Sequence, residues 1–144
     1  CISHIKLMNR HFQFYLYHNM PTKTLKVFVN LSNHISSAWK EEQLLAASQY
    51  GKIIDMPFPQ VNPWMTILQI QELASKCVSQ LLTLSCSPTE MTVHVMGEMT
   101  LVYHIVSALK VMGVRCVAST TERISVEVGD KKVSEFIFVQ FREY

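Results

Sequence analysis

The stretch Val27–His34, Val-Phe-Val-Asn-Leu-Ser-Asn-His, decides how the rest of the chain is interpreted. Its apolar part predicts a short buried strand over Lys26–Val29. A loop with small polar side chains is predicted to follow, presenting Asn30, Ser32, Asn33 and His34. In open α/β sheets, ligands bind outside the carboxyl ends of the strands, where the strand order reverses. The stretch therefore predicts one part of a ligand crevice.

The composition predicts a single globular domain. The chain has 144 residues, of which 49% are hydrophobic and 17% are charged, with four glycines and five prolines. These values argue against a disordered chain and against a fibrous repeat. The net charge of +2 is too small for a basic-patch protein that binds duplex nucleic acid, but it permits a small anionic ligand. No apolar run approaches the roughly 18 residues of a membrane span. We therefore expect no membrane as a partner and, because of the small net charge, no duplex nucleic acid.

The first residues differ from the rest of the chain. Residues 1–19 have no consistent helical or strand period, and Met20-Pro21-Thr22-Lys23 is typical of a natural start. We therefore predict a poorly specified N-terminal extension over residues 1–19 and one Rossmann-like α/β domain over residues 20–144.

The cysteines have no metal-ligand spacing; they are Cys1, Cys77, Cys86 and Cys116. Cys77 falls in a helical pattern and Cys116 in an apolar strand, which is typical of buried, reduced thiols in a cytoplasmic protein. The sequence therefore predicts no metal site and no cofactor.

Hydrophobic periodicity predicts the element order βαβαβαβ, followed by two more strands. The parallel strands are predicted over Lys26–Val29, Lys52–Met56, Met91–Met96 and Val114–Ala118. The helices are predicted over Ala38–Tyr50, Trp64–Leu84 and Met99–Met112. Alternation predicts an antiparallel hairpin from Ile124–Val128 and Val133–Phe141. Right-handed crossovers then give an α/β, Rossmann-like three-layer sandwich, with four parallel strands in the order 2-1-3-4 plus the C-terminal hairpin.

Three polar segments are predicted to meet at the carboxyl edge of this sheet. The first segment is the loop after the first strand. The second contains Gly97, Glu98 and Thr100, and the third contains Ser119, Thr120, Thr121, Glu122 and Arg123. Backbone N–H groups at the start of the helix after Gly97 would favour a phosphate. Arg123, Ser119 and Thr120 could donate hydrogen bonds to the same phosphate. His34 is the candidate acid or base, because imidazole is the side chain that changes charge near neutral pH.

These residues also have structural interpretations. Asn30, Ser32 and Asn33 are typical turn and cap residues. Glu98 suits the first turn of a helix, where its charge would oppose a phosphate, and His94 suits a hydrogen-bonded core position. The motifs G-x-G-x-x-G, H-E-x-x-H and G-x-S-x-G and the P-loop are absent from the sequence, which argues against the common dinucleotide, zinc-protease, hydrolase and NTP sites.

Three motifs carry a resemblance to a known group of proteins. They are Val-Asn-Leu-Ser-Asn-His after the first strand, Val-His-Val-Met-Gly-Glu-Met-Thr at the third, and Cys-Val-Ala-Ser-Thr-Thr-Glu-Arg at the fourth. Over Leu25 to Tyr144 the chain resembles small CRISPR-associated Rossmann-like proteins related to CARF domains. The resemblance implies a homodimeric stand-alone sensor, or a ring nuclease that binds and cleaves a cyclic oligoadenylate above the strand ends. It carries a ligand-binding role onto Ser32, Asn33, His34, Gly97, Glu98 and Ser119 to Arg123.

The leading hypothesis is a protein of type III antiviral defence that binds a cyclic oligoadenylate, with metal-independent cleavage to a 2′,3′-cyclic phosphate. His34 and Arg123 are then the candidate catalytic residues. The alternatives are a non-catalytic nucleotide-binding module of the same fold and a protein-interaction module with an apolar patch near Trp39, Phe58 or Trp64. A metal enzyme using Glu98, Glu122 and His34 is the least favoured alternative.

Overall fold

The computed structural model describes residues 25–144 and has a mixed α/β fold with one five-stranded sheet and three α-helices in that range. The strands are β1 (Val27–Ser32), β2 (Lys52–Pro57), β3 (Met91–Val95), β4 (Arg115–Val128) and β5 (Lys131–Glu143). The α-helices are α1 (Glu41–Ser48), α2 (Ile67–Leu82) and α3 (Met99–Val111). The predicted extension over residues 1–19 lies outside the described residues. None of the helices in residues 25–144 has both the length and the hydropathy that crossing a bilayer requires.

The sheet is mostly parallel. Its order is β2-β1-β3-β4-β5; the first four strands run parallel, and β5 runs antiparallel to β4. The predicted α/β class and the antiparallel C-terminal pair are therefore confirmed. The sequence predicted four parallel strands in the order 2-1-3-4 and a separate hairpin. The full order differs from this, because the fourth strand itself forms one arm of the hairpin.

Strand β4 is much longer than predicted. The segment from Ser119 to Arg123, expected as a loop, lies in the middle of the strand and pairs with β5. No glycine or proline interrupts Arg115–Val128, and its serine, threonine, valine and isoleucine residues suit a strand. Only Arg115–Val117 pairs with β3, so the remainder of β4 forms a two-stranded ribbon with β5. We call residues 119–140 the ribbon. A two-residue turn with Gly129 at φ +62° closes it, as hairpin turns require.

The two faces of the sheet are covered by different helices. Val29 and Leu31 of β1 pack in the larger core together with α2 and α3. Phe28, which precedes Val29 and therefore points to the opposite face, packs there with Ala47 of α1 and with Val117. The domain therefore has three layers. Strand β1 extends to Ser32, so Asn30 and Ser32 are buried strand residues, and the loop predicted to contain them starts later.

Helix α1 begins later than predicted. Ser36–Ala38 forms a short 3-10 turn, and the next two residues have extended backbone. This geometry brings Trp39 onto Phe28, with their ring centroids 6.4 Å apart. Packing of the half-buried indole therefore accompanies the later helix start. Helix α1 has its acidic residues Glu41 and Glu42 in the first turn, as predicted.

Gly51, which joins α1 to β2, is a position that other residues fit poorly. Its φ is +144°, and a Cβ there would lie 2.3 Å from the carbonyl oxygen of Lys26. We expect Gly51→Ala to lower the free energy of unfolding by roughly 3 kcal/mol or more, from backbone strain and overlap together. Gly113→Ala is the matched control, because Gly113 also has positive φ (+81°) but open space around it; it should cost only about 1–2 kcal/mol. Urea unfolding of the two variants measures the difference, and equal losses would contradict the steric argument.

Candidate ligand-binding cleft

Four hydrogen-bonded side chains cross the sheet on the face covered by α1. They are Asp55 of β2, Asn30 of β1, His94 of β3 and Ser119 of β4, and we call them the polar row. Asn30 Nδ2 donates to Asp55 Oδ1 at 2.7 Å, and Asn30 Oδ1 lies 2.9 Å from His94 Nδ1. His94 Nε2 lies 3.2 Å from Ser119 Oγ. The strand register produces the row, because it pairs Asn30 with Asp55 on one side and with His94 on the other.

Asp55 sets the direction of the hydrogen bonds at one end of the polar row. Burial by itself would raise the pKa of this carboxyl, but hydrogen bonds from Ser36 and Asn30 outweigh it and leave the pKa below its ordinary value. Asp55 is therefore ionised at neutral pH and can only accept. Ser36 donates to it from its backbone N–H at 2.9 Å and from its hydroxyl at 2.7 Å. The group of Asn30 that faces Asp55 must then be its NH2.

His94 is a buried and neutral histidine, as the sequence predicted for a core position. It is 3% exposed, and its ring stacks on Phe28 with 6.2 Å between centroids. Trp39 and Phe141 contact the same ring, with centroids 5.6 and 5.2 Å away. Burial lowers the pKa of His94 to about 4. In the neutral ring one nitrogen donates and the other accepts.

A cleft of about 600 Å³ lies beside the end of the polar row. Its polar lining includes His94, Ser119 and Ser32, and its aromatic lining includes Trp39, Phe136 and Phe138. The exposed residues His34, Lys40 and Thr121 complete this part of the surface. Ligand sites are typically clefts of about 300–1,000 Å³ with apolar walls and a few convergent polar groups. The cleft has both properties.

A second groove of about 560 Å³ lies beside α3, lined by Met96, Met99, Tyr103 and Tyr144 among others. It is more apolar than the cleft. The polar row ends at the cleft and not at this groove, so the cleft is the better candidate for a specific ligand.

The structure brings together only some of the predicted site residues. Ser32, His34, Ser119 and Thr121 line the cleft. Asn33 and Glu98 line a separate cavity of about 210 Å³ next to Phe58. Asn30 is 1% exposed and acts within the polar row.

The start of α3, predicted to receive a phosphate, is occupied by a side chain of the protein. Glu98 caps the helix and accepts from the Leu101 N–H at 2.8 Å and from the Thr100 N–H at 3.2 Å. Glu98 also accepts from the Thr100 hydroxyl at 2.7 Å. These bonds hold the pKa of Glu98 below its ordinary value, and the bond from the Thr100 hydroxyl has the largest effect. The structural interpretation of Glu98 therefore applies, and the N–H groups are already satisfied.

Gly97 has a packing role. A Cβ at this position would lie 2.4 Å from the ring of Phe58, which is 5% exposed. The glycine lets the buried ring lie directly against the backbone, and the apolar patch predicted at Phe58 is not exposed.

The polar residues of β4 mostly bind within the ribbon. The Thr120 hydroxyl donates to Gln140 O at 3.2 Å. Arg123 donates from Nε and Nη2 to Ser134 Oγ at 3.0 and 2.9 Å, and its guanidinium lies 5.9 Å from the Phe136 ring centroid. Glu122 pairs with Ile137 on the opposite face of the ribbon from Arg123, because successive strand residues alternate. Binding of a phosphate by Thr120 would require its hydroxyl to change partner, whereas the bonds from Arg123 to Ser134 use only two of its five N–H groups.

Asp55 of the polar row and four cleft residues were missed by the prediction of the site; the four are Trp39, Lys40, Phe136 and Phe138. Asp55 follows Ile54 in an apolar strand, and only the register shows that it faces Asn30. The aromatic residues of β5 carry a weak signal, since Phe136 and Phe138 alternate on one face of the predicted hairpin.

Within residues 25–144, no three histidine, cysteine or carboxylate side chains converge as a set of metal ligands. Of the residues suggested for a metal, Glu98 caps α3 and lines a different cavity from His34.

The fold and the cleft define an α/β protein whose candidate site lies at the carboxyl edge of a mostly parallel sheet. A family model described as "Uncharacterized protein MJ1673 family" matches residues 26–142, and the chain therefore belongs to this family. No curated protein and no solved structure matches the chain.

The protonation of His94 can be measured directly. We expect ¹⁵N-edited NMR to find a neutral ring with the proton on Nδ1 at pH 7 and a pKa near 4. Because the unfolded chain binds this proton at about pH 6.5, the associated stability is present above pH 6.5 and is lost as the pH falls towards 4. A proton on Nε2 would contradict the hydrogen-bond directions in the polar row, and a pKa near 6.5 would contradict the effect of burial on the ring.

Proposed function

We propose that this chain binds a cyclic oligoadenylate in the cleft and acts as a CRISPR-associated sensor or ring nuclease of type III antiviral defence. The observation that carries the proposal is the cleft itself, where aromatic walls and a hydroxyl-lined floor meet at the carboxyl edge of the sheet. The resemblance of the three motifs supports the ligand class, and the Rossmann-like layer order supports a ligand at this edge.

The aromatic residues supply surfaces for adenine. Trp39 comes from the segment before α1, and Phe136 and Phe138 come from the ribbon. Stacking of a base on an aromatic side chain contributes about 1–3 kcal/mol. A base that enters the cleft can stack on these rings.

Two cations are available for the phosphates. Lys40 pairs with Glu135 at 2.8 Å, but both side chains are more than half exposed, so solvent screens the pair and a phosphate can replace the carboxylate. Arg123 lies two residues beyond Thr121 on the same face of β4. Its bonds to Ser134 use two of its five N–H groups, and the others can bind phosphate oxygens.

A second copy of the chain completes the proposed site. A cyclic oligoadenylate is several times larger than a drug-sized ligand, so it extends beyond one cleft of about 600 Å³. A two-fold homodimer would place two equal clefts around one ring. The proposal assigns the protein to the cytoplasm, in keeping with the buried free thiols of Cys77 and Cys116.

Cleavage, where it occurs, needs no metal in this proposal. The ribose 2′-oxygen bonds to phosphorus and the P–O5′ bond breaks, which leaves a 2′,3′-cyclic phosphate. His34 accepts the proton of the 2′-hydroxyl, a water molecule gives a proton to the leaving 5′-oxygen, and Arg123 stabilises the charge on the phosphorane. In the non-catalytic alternative, His34 only contacts the ligand.

A protein-interaction module is the second candidate, favoured by one observation. Four apolar side chains share one face of the ribbon, and they are 39–62% exposed: Ile124, Val126, Val128 and Val133. Of the patch predicted from the sequence, Trp39 packs in an aromatic cluster and Phe58 is buried, while Trp64 is 89% exposed. A second copy of the chain is the simplest partner for the ribbon.

Binding can be followed through Trp39. The chain has two tryptophans, and Trp64 is exposed outside the cleft, so Trp64→Phe should leave Trp39 as the only reporter without changing affinity. We expect cyclic tetra- or hexa-adenylate to quench its fluorescence, with saturation at one ring per two chains. Trp39→Leu should weaken binding about tenfold or more, measured by calorimetry, because it removes a stacking surface. If neither ring binds, the proposed function is wrong.

Cleavage can be separated from binding at His34. With EDTA present, we expect the wild-type protein to convert the ring to products ending in a 2′,3′-cyclic phosphate. His34→Ala should lower the rate about 100-fold or more and leave the dissociation constant within a few-fold, since it removes a proton acceptor. His104→Ala, on α3 away from the cleft, is the control and should cleave normally. Tight binding without cleavage by the wild type would favour the non-catalytic module.

A further inference from the structure

The hydroxyl groups on the cleft floor point their hydrogens into the protein. Ser32 Oγ donates to Asn30 Oδ1 at 2.8 Å, with the carbonyl oxygen of His34 at 3.1 Å. It also accepts from the backbone N–H of His34 at 3.2 Å. Ser32 is 6% exposed, so its hydrogen-bonding capacity is used inside the domain.

The orientation of Asn30 cannot be reversed without a large cost. Its NH2 group lies 2.7 Å from Asp55 Oδ1 and 2.8 Å from the carbonyl oxygen of His34, and both atoms are acceptors. A flipped amide would set a third oxygen against these two and would leave a buried polar group without donors. Asn30 Oδ1 therefore faces Ser32 and His94, and both must donate to it.

The hydrogen-bond directions at Asn30 also determine those at His94 and Ser119. Because Nδ1 of His94 donates to Asn30 Oδ1 at 2.9 Å, its neutral ring has an acceptor at Nε2. Ser119 Oγ, at 3.2 Å from Nε2, must supply the hydrogen. The half-buried Ser119 therefore presents the lone pairs of its hydroxyl oxygen to the cleft.

We propose that Ser119 is a specificity residue that accepts a hydrogen bond from the ligand, and that the polar row makes the cleft select a base with an amino group. This inference rests on the proposed function and deepens it, because the 6-amino group of adenine is such a donor. A base without a donor at that point leaves the oxygen of Ser119 unpaired in a partly dry site, which favours the amino-bearing base.

Two rings that differ in one group test the proposal. One is cyclic tetra-adenylate, and the other is the same ring with hydrogen in place of each 6-amino group. We expect calorimetry to give roughly ten- to hundredfold weaker binding of the second ring to the wild-type protein, the usual effect of an unpaired acceptor. Ser119→Ala should bring the two affinities within about threefold of each other, mainly by weakening the adenylate ring.

Two further variants separate this role from a structural one. Ser119→Thr keeps the hydroxyl on a strand and should retain the preference for the amino-bearing ring. Ser125→Ala removes the same group from the same face of β4, farther along the ribbon and outside the cleft lining, and should leave the preference unchanged. Loss of preference in Ser125→Ala, or its survival in Ser119→Ala, would overturn the proposal.

The outcomes for the wild type also distinguish the two levels of inference. Equal binding of both rings would overturn the role of Ser119 and leave the proposed function standing. If cyclic tetra-adenylate does not bind, the comparison is made with cyclic hexa-adenylate and its matching analogue; failure of both adenylate rings would overturn the proposed function and this inference with it.

Discussion

The side-chain amide of Asn30 is the interaction on which the candidate site depends. It donates to Asp55 and to the His34 carbonyl group, and it accepts from Ser32 and His94. These four bonds use its two donors and two acceptor positions. A buried amide is tolerated only when it is paired, so each partner is held where Asn30 requires it. The amide thereby connects an edge strand, the loop after β1 and the central strand β3.

This constraint also changes what the polar residues of the sheet edge can do. The sequence suggested phosphate binding by hydroxyl groups and a helix start, yet Ser32, Thr120 and Glu98 have partners inside the protein. The floor of the cleft therefore offers oxygen acceptors, and the positive charges lie farther out on Lys40 and Arg123. Such a division suits a ligand that inserts a base and leaves its phosphates near the surface.

The fold was predictable where local pattern decides structure. The apolar run of β1 and the helical stripe of α2 each determine an element, and the two glycines that follow α1 and α3 mark their ends. Ser119–Arg123 was misjudged because its polar composition resembles a loop, whereas pairing with β5 makes it a strand. The polar row was not predictable, since Asp55 and His94 become neighbours of Asn30 only through the register of three strands. His34 and Ser119 were proposed for a site at this edge, and both line the cleft, but their partners depend on that register.

The two sides of the cleft differ in how firmly they are built. Trp39 rests on the three-layer core, while Phe136 and Phe138 belong to a ribbon that extends beyond β3, and two-stranded hairpins are marginally stable by themselves. A β-bulge between Thr120 and Thr121 marks the point where the ribbon leaves the sheet. A ligand that stacks on both sides holds the ribbon against the core. Part of its binding free energy then offsets the conformational entropy that the ribbon loses. If a second chain covers the apolar face of the ribbon, as proposed, then occupancy of the cleft and association of two chains are thermodynamically linked.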